Sequence, residues 1–505
     1  MNFKTSNSLI FLFFAAFLLL NILTATLYPG PHTDEILYID PAINLAEGNG
    51  FTSSAWPSQS KEEFWSSNVP LYSLIQAGVM KIFGTDLVVA RIFAYILAIF
   101  SGIFLSIGLR NYNLIRLEKL RNTCVIFFLM IFPIAYAYRS GRPDILSLIL
   151  ASTTFAITSM KHSNLRKILL FLSSMLIPLA SLALVFLIVT ALLVCFAFFG
   201  RKVLEDAIII ISGIILGAIF MVAFYFFNNS LTQFLMITFG SGHTLLGQIA
   251  QYFIFDDARV LNKIKEFPIT YLKSFFWWPY SMILVLISYL ILLSSKINRN
   301  KMNYFFITLI MTIPFILGLL GKYTWHYSWM HISILTIGIF YSLEQLDWQK
   351  HKIVLTSSAS LLIVSALIGW PWMLWVALSE TDSQSQNTIE DFIEKHVDEN
   401  DTVVVDEYVY FPAKKRAKQL YAITYGGGHG LKEIPKEQLS KVNKAILQDA
   451  EFTTMQIKYG GEWIVKDQYY LELKNYGKFQ FRFGDFRDWE KLIVYERSSE
   501  FKKIE

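Results

Sequence analysis

Residues 8–51 read SLIFLFFAAFLLLNILTATLYPGPHTDEILYIDPAINLAEGNGF. Up to Tyr28 this stretch carries no charge, and just past Pro-Gly-Pro it places two adjacent carboxylates, Asp34 and Glu35. About 20 apolar residues in a helix cross a hydrocarbon core roughly 30 Å thick. The run is longer than the h-region of about 7–15 residues in a signal peptide, and no clear A-x-A site follows, so it reads as a retained span. The chain thus leaves a membrane and at once presents acid at its surface.

The composition agrees with that reading. Of 505 residues, 54% are hydrophobic, 16% aromatic and 16% charged, with 43 Phe, a membrane-protein profile. Residues 1–378 hold 41 Asp, Glu, Lys and Arg, and the last 127 residues hold 42, so a membrane block precedes an ordinary water-soluble domain. The net charge of +5 conceals 25 basic against 16 acidic residues in the first part and 19 against 23 in the second, which is not a nucleic-acid-binding balance. Cys124 and Cys195 both lie in apolar runs, which excludes a disulfide framework or a Cys-type metal site.

Eleven candidate spans follow, near 8–28, 85–109, 122–139, 143–160, 167–182, 184–200, 204–227, 274–295, 302–321, 328–346 and 353–378. The pair around Pro178 also reads as one broken helix. With the N-terminus cytoplasmic, the inner loops carry fourteen basic residues: Arg110, Arg116, Lys119, Arg121, Lys161, Arg166, Lys167, Arg201, Lys202, Lys296, Arg299, Lys301, Lys350 and Lys352. The short outer turns carry only Arg139, Arg142 and Lys322, so the positive-inside bias predicts a multi-pass protein of the inner (plasma) membrane with its C-terminal domain outside.

The expected organisation is an α-helical polytopic membrane domain over 1–378, with long outer loops at 29–84 and 228–273. A small extracytoplasmic α/β domain follows over 379–505. In the loops, VPLYSLIQAGVMKIFG and LTQFLMITFG have helical spacing suited to the membrane interface. In the C-terminal domain, DTVVVDEYVYF, GEWIVKDQYYLEL, KFQFRFG and KLIVYERS read as strands and EQLSKVNKAILQDA as a helix.

Charges near the outer face are scarce: Asp34, Glu35, Arg139, Arg142, Asp144 and Lys322. Taken singly, each is explained by capping or snorkelling. Gathered on one face beside Trp- and Tyr-rich loops, they point to a site.

The pattern resembles the GT-C polyprenyl-phosphate-sugar glycosyltransferases, the relatives of protein O-mannosyltransferases and of the lipid A aminoarabinose transferase. The resemblance spans roughly residues 8–345. It rests on Asp34-Glu35 after the first span, followed by Ala42, Leu45 and Gly48 as A-x-x-L-x-x-G. It continues with Pro70-Leu71-Tyr72, Arg91, Arg142-Pro143-Asp144, and Gly321-Lys322 with Tyr327. The chain departs from that pattern at Asn68-Val69-Pro70-Leu71, where the family often has Lys-Pro-Pro-Leu, and at Met330, where it has Pro.

The resemblance implies a GT-C-like fold and transfer of a sugar from a polyprenyl-phosphate-linked donor to a hydroxyl of a lipid, glycan or protein. No cofactor and no metal are expected. Partial desolvation at the membrane surface raises a carboxylate's pKa towards that of a working base, the expected role of Asp34. Glu35 orients a neighbour, and Asp144 holds the acceptor or an arginine. Arg142, Lys322 and Tyr327, with Arg139 and His326, face the donor phosphate, where charge builds up. Asn68 and Tyr72 line the loop between donor and acceptor.

Several other features receive weaker readings. A metal site of His32, Asp34 and Glu35 is the alternative to a metal-free centre. Asp256-Asp257 reads as a solvated turn. The run GGGHG at Gly426–Gly430 lacks the Lys-Ser/Thr of a phosphate loop. AKKRAK around Lys414 reads as a solvated face that could touch headgroups. The competing functions are a ligase or polymerase acting on lipid-linked oligosaccharides, and a transporter or flippase, which calls for internal repeats and charges near the bilayer midplane.

Overall fold

The computed structural model describes residues 3–31, 33–55, 62–240, 301–319, 327–347, 349–379, 386–423, 440–448, 463–470 and 491–497. The expected span at 274–295, together with His32, Asp256-Asp257, Lys322, His326, KFQFRFG and the glycine-rich run at 426, lies outside them.

Helices occupy the other ten expected spans. They are α1 (Phe3–Leu23), α4 (Leu87–Asn111), α5 (Glu118–Met130) with α6 (Phe132–Arg139), α7 (Asp144–Thr158), α8 (Asn164–Ala180), α9 (Leu182–Phe199), α10 (Leu204–Phe227), α12 (Lys301–Leu319), α13 (Trp329–Gln345), and α14 (Lys352–Leu367) with α15 (Trp370–Ser379). The loops contribute α2 (Thr33–Ala46), α3 (Leu71–Phe83) and α11 (Leu231–Gly240). Among the described residues, three helical stretches are long and apolar enough to cross a membrane: Leu87–Asn111, Leu182–Phe227 and Lys352–Ser379. The α5–α6 pair makes a fourth if counted as one span.

The breaks have local causes. The span expected at 122–139 is bent by 58° between α5 and α6. Pro133 has no N–H to give the Leu129 carbonyl, and the Tyr138 hydroxyl donates to that carbonyl instead, at 2.9 Å. In α12, Pro314 frees the Ile310 carbonyl in the same way, and His331 of α13 hydrogen-bonds to it. Around Pro178 there are two helices: Ser181 is extended and caps α9 by accepting from the Leu184 N–H at 3.2 Å. α8 packs on α10 through Gly213 and Gly217, where an added Cβ would stand 2.6 Å from the Phe171 carbonyl and 2.0 Å from that of Met175. That is the close approach a small-x-x-x-small spacing permits.

Several polar contacts gather at the two ends of the helical bundle. At one end Asn111 meets Ser159 at 3.2 Å, Arg116 and Leu117 N–H groups cap on Glu344 at 2.7 Å, and Arg166 pairs with Asp206 at 2.5 Å. The other end holds Asp34, Glu35, Arg91, Arg139, Arg142 and Asp144.

The C-terminal domain holds α16 (Gln386–His396), α17 (Tyr410–Arg416) and a five-stranded sheet. The strands are β1 (Thr402–Asp406), β2 (Gln419–Ile423), β3 (Lys444–Gln448), β4 (Trp463–Tyr470) and β5 (Lys491–Arg497), ordered β2-β1-β3-β5-β4. β1 runs parallel to β2 and β3, and β5 antiparallel to β3 and β4. Two expectations are corrected. The strand from Asp401 stops at Asp406, and Tyr410 and Phe411 begin a helix. KAILQ, expected to be helical, is the central strand β3: its apolar run is too short for spacing to distinguish helix from strand, and pairing on both sides decides.

The domain is not a separate body. α2 turns Ile36, Ile39 and Ile43 into a core shared with Ile389, Phe392, Val403, Val409 and Tyr410, and turns Leu37 and Tyr38 towards the helical bundle. Between the two, Asp40 is fully buried. It accepts from Ser53 Oγ at 2.8 Å, from the Ser54 and Ala55 N–H groups at 2.7 and 3.2 Å, from Lys414 Nζ at 2.9 Å and from the Tyr410 hydroxyl. Lys415 pairs with Asp86 and Glu390, and Arg416 with Glu394. Within the basic run expected on a solvated face, Lys414 and Lys415 therefore reach Asp40 and Asp86 across the domain boundary as a clasp, while Lys415 and Arg416 stay partly exposed.

Burial alone would raise the Asp40 pKa. The Lys414 charge, with hydrogen bonds from Tyr410, Lys414 and Ser53, outweighs that and holds the carboxyl below its ordinary range. The clasp is thus at full strength above the unfolded carboxylate pKa and is lost only as pH falls through the lowered folded value. Lys414→Met should loosen the docking by roughly 3 kcal/mol, because it strands a buried charge, and adding Asp40→Asn should restore part of the loss. Melting curves of the purified single and double variants check this. An unchanged melting temperature in Lys414→Met would mean that the pair holds nothing.

Candidate active site

α2 starts at Thr33, which puts Asp34 and Glu35 in its first turn, where the helix dipole favours carboxylates. Successive helical residues point about 100° apart, and the two acids take different partners. Glu35 is buried and forms a bidentate pair with Arg91 of α4, Nε to Oε1 at 2.8 Å and Nη2 to Oε2 at 2.6 Å. Arg91 also donates to the carbonyls of Ala25, Pro29 and Gly30 at 2.6, 2.8 and 3.3 Å, so it fixes the path from α1 to α2.

Asp34 reaches Arg142 instead. That arginine sits in the turn Ser140-Gly141-Arg142-Pro143 between α6 and α7. Its Nη1 meets Asp34 Oδ2 and its Nε meets Asp144 Oδ2 at 2.8 Å, while Asp144 Oδ1 accepts from Trp329 Nε1 at 3.1 Å. Asp34 keeps 18% of its side chain exposed, against 2% for Arg142 and 8% for Asp144, so it is the most accessible of the three.

Tyr327 and Tyr38 complete the cluster. Burial, followed by the Asp144 and Asp34 charges, pushes the Tyr327 phenol up despite the opposing Arg142, so it stays a neutral donor. Tyr38, one turn along α2 from Asp34, is pushed up by burial, then by Tyr327, Asp34 and Asp144. Its ring packs edge-on against Trp65 and Tyr72.

The expected residues thus divide. Asp34, Arg142, Asp144 and Tyr327 form one cluster, with Glu35 directly behind it. Arg139 goes elsewhere: it is buried and donates to Asn21 Oδ1 at 2.7 Å, Thr24 Oγ1 at 3.0 Å, the Thr24 carbonyl at 3.3 Å and the Tyr28 carbonyl, which braces the end of α1. The Tyr72 hydroxyl donates to the Gly141 carbonyl at 2.7 Å and accepts from Gln76 at 3.1 Å, so it supports the arginine turn from below. Asn68 Oδ1 accepts from the Val69 N–H at 2.8 Å, and its carbonyl accepts from the Tyr225 hydroxyl. Tyr38 and Trp329 were missed. The i to i+4 spacing from Asp34 on a helix would have flagged Tyr38, whereas nothing in the sequence ties Trp329 to Asp144.

No known family profile and no curated protein sequence matches the chain. Among solved structures, ArnT from Cupriavidus metallidurans bound to undecaprenyl phosphate aligns over 97% of this chain and 98% of its own, with a TM-score of 0.56 and 10% identity. The apo form of that ArnT gives 0.48 at 11% identity over the same shares. The Archaeoglobus fulgidus oligosaccharyltransferase, tethered to an acceptor peptide, gives 0.40 at 10% over 86% and 69%. Those two lie below the level at which a shared fold can be argued. The first is a likeness of fold along the whole chain: the protein has a fold like that of this ArnT.

Gly141 joins both ion-pair systems. Its φ is +59°, and a Cβ there would stand 2.3 Å from Glu35 Oε1. Gly48 has φ +84° with nothing within 4 Å of such a Cβ. Gly48→Ala should therefore cost only backbone strain of about 1 kcal/mol, whereas Gly141→Ala should lose clearly more through the Glu35 collision. Equal melting-temperature losses in the two variants would contradict the packing described.

Proposed function

We propose that the protein is an integral-membrane glycosyltransferase. It moves a sugar from a polyprenyl-phosphate-linked donor to an acceptor hydroxyl at the outer membrane face, and it crosses the bilayer eleven times with the N-terminus inside. The observation that carries the reading is the Arg142 guanidinium shared by Asp34 and Asp144 at the mouth of the helical bundle. The fold likeness to a protein with undecaprenyl phosphate bound supports it.

In this mechanism the acceptor hydroxyl attacks the anomeric carbon, the bond from that carbon to the phosphate oxygen breaks, and Asp34 takes the hydroxyl proton. In the resting state Asp34 is partly exposed and paired with Arg142. A donor phosphate competes for the same guanidinium. As Arg142 turns to it, the Asp34 carboxylate is released for the proton. Asp144 keeps Arg142 in reach through Nε, and Trp329 keeps Asp144 in place. The Tyr327 hydroxyl donates to the departing phosphate, where Lys322 adds charge. Glu35 orients Arg91 and the loop, and Arg139 and Tyr72 support the scaffold without touching substrate.

Two variants separate the roles. Asp34→Asn should leave undecaprenyl phosphate binding as tight as wild type or tighter, since a competitor for Arg142 has gone, but lower turnover by about 10²-fold or more. Lys322→Ala should weaken that binding as well as turnover, and Lys322→Arg should recover part. Binding is measured in nanodiscs, and product by mass spectrometry of envelope glycans and lipids from a deletion strain carrying each variant. Near wild-type product from Asp34→Asn removes Asp34 from the mechanism.

The topology has its own check. A cysteine placed at residue 400 should react with an impermeant maleimide in intact cells, and one placed at 115 should not. Labelling at 115 would reverse the orientation.

A further inference from the structure

The C-terminal sheet reaches the site through one turn. β1 ends at Asp406, whose carboxylate accepts from the Tyr408 N–H at 3.1 Å and closes the 3-10 turn Glu407–Val409. The turn lies on the segment that leads into the two carboxylates. A Cβ on Gly30 would stand 2.7 Å from Tyr408 Cε1, so the ring rests directly on Gly30. The Gly30 carbonyl accepts from the same Arg91 that holds Glu35. On the far side of the turn, Tyr410 and Lys414 grip Asp40 of α2. Both flanks are therefore fixed to the elements that carry Asp34. Glu407 is half-buried, and the Tyr136 hydroxyl lies within Coulomb range of Arg142, Asp34, Glu407 and Glu35 alike.

A carboxylate in that position does not suit a phosphate-bearing donor, which it repels. β1 packs against the face of α2 turned away from the bundle, the side from which an acceptor arrives in the topology proposed above. We propose that Glu407 is an acceptor-recognising residue contributed by the C-terminal domain, which lines the outer wall of the Asp34–Arg142 site and binds hydroxyl or amino groups of a neutral or cationic acceptor. This rests on the glycosyltransfer reading above. Charge-assisted hydrogen bonds to sugar hydroxyls supply the affinity, and like-charge repulsion turns away anionic acceptors.

The test uses the full chain and keeps donor and acceptor apart. Undecaprenyl phosphate is the donor-site probe, titrated into nanodiscs holding wild type, Glu407→Gln or Glu407→Asp. Product is read by mass spectrometry of the envelope from deletion cells carrying each allele, and folding by melting temperature. Glu407→Gln should lower product about tenfold or more, the scale of a lost hydrogen bond to a charged group. Undecaprenyl phosphate should bind within about twofold of wild type or tighter, since a repelling charge has gone. Glu407→Asp should recover part of the product. Wild-type product from Glu407→Gln overturns the assignment. So does a matching fall in undecaprenyl phosphate affinity, which would put the residue on the donor side. An equal loss of product and melting temperature in both variants also overturns it, because the turn would then be only structural. Wild-type protein that fails to bind undecaprenyl phosphate sinks the glycosyltransfer reading itself, a result distinct from the other three.

Discussion

A guanidinium cannot give up its charge, so an arginine buried in a protein has to be surrounded by oxygen. Three arginines, Arg91, Arg139 and Arg142, are buried together at one end of this helical bundle. Arg91 and Arg139 draw most of that oxygen from the main chain between Thr24 and Gly30, and Arg91 takes the rest from Glu35. A segment with no regular structure is thereby given a fixed path, and α2 can begin nowhere else. The site depends on this: Asp34 is held in place because its neighbour Glu35 is bound at both oxygens.

The third arginine is held differently. Arg142 is enclosed by carboxylates, and a phosphate can compete for a carboxylate's partner in a way it cannot for the folded main chain. Two buried arginines of the same end thus serve the scaffold, and one is chemically available. Exposure separates them less than the identity of their partners does. The second layer keeps Arg142 in position by several routes: Asp144 through Nε, Trp329 through Asp144, and Tyr72 through the Gly141 carbonyl.

Much of this was legible in the sequence because the membrane enforces simple patterns. Uninterrupted apolar runs gave ten helical segments near their observed bounds, two of them each broken into a pair of helices, and the scarcity of charge drew attention to Asp34, Arg142 and Asp144. What the sequence did not separate was Arg139 from Arg142, three residues apart and on the same side. Their difference lies in whether Asn21 and Thr24 or Asp34 and Asp144 stand opposite, which is a long-range contact. The bend at Ile131 was hidden because Pro133 lies inside an apolar run whose composition reads as one span. β3 was missed because five residues of a central strand carry no period. The clasp at Lys414 was missed because a basic run looks solvated until Asp40 is known to be buried.

Charge accounting over the cluster carries the argument one step further. Glu35 and Arg91 cancel. Asp34, Asp144 and Arg142 leave one negative charge in excess, and Glu407 adds another at the outer wall. A sugar phosphodiester brings a further negative charge; the Arg139 guanidinium at the same end, held by neutral oxygens, offsets one of these three without joining the cluster. A further cation beside the cluster would balance the donor. The sequence puts Lys322 five residues before Tyr327, and Tyr327 itself interacts electrostatically with Asp144, Arg142 and Asp34. An acidic outer wall facing a basic inner one would present the acceptor to carboxylates and the phosphate to cations. That polarity suits a reaction in which a proton leaves on one side of the sugar and a phosphate on the other.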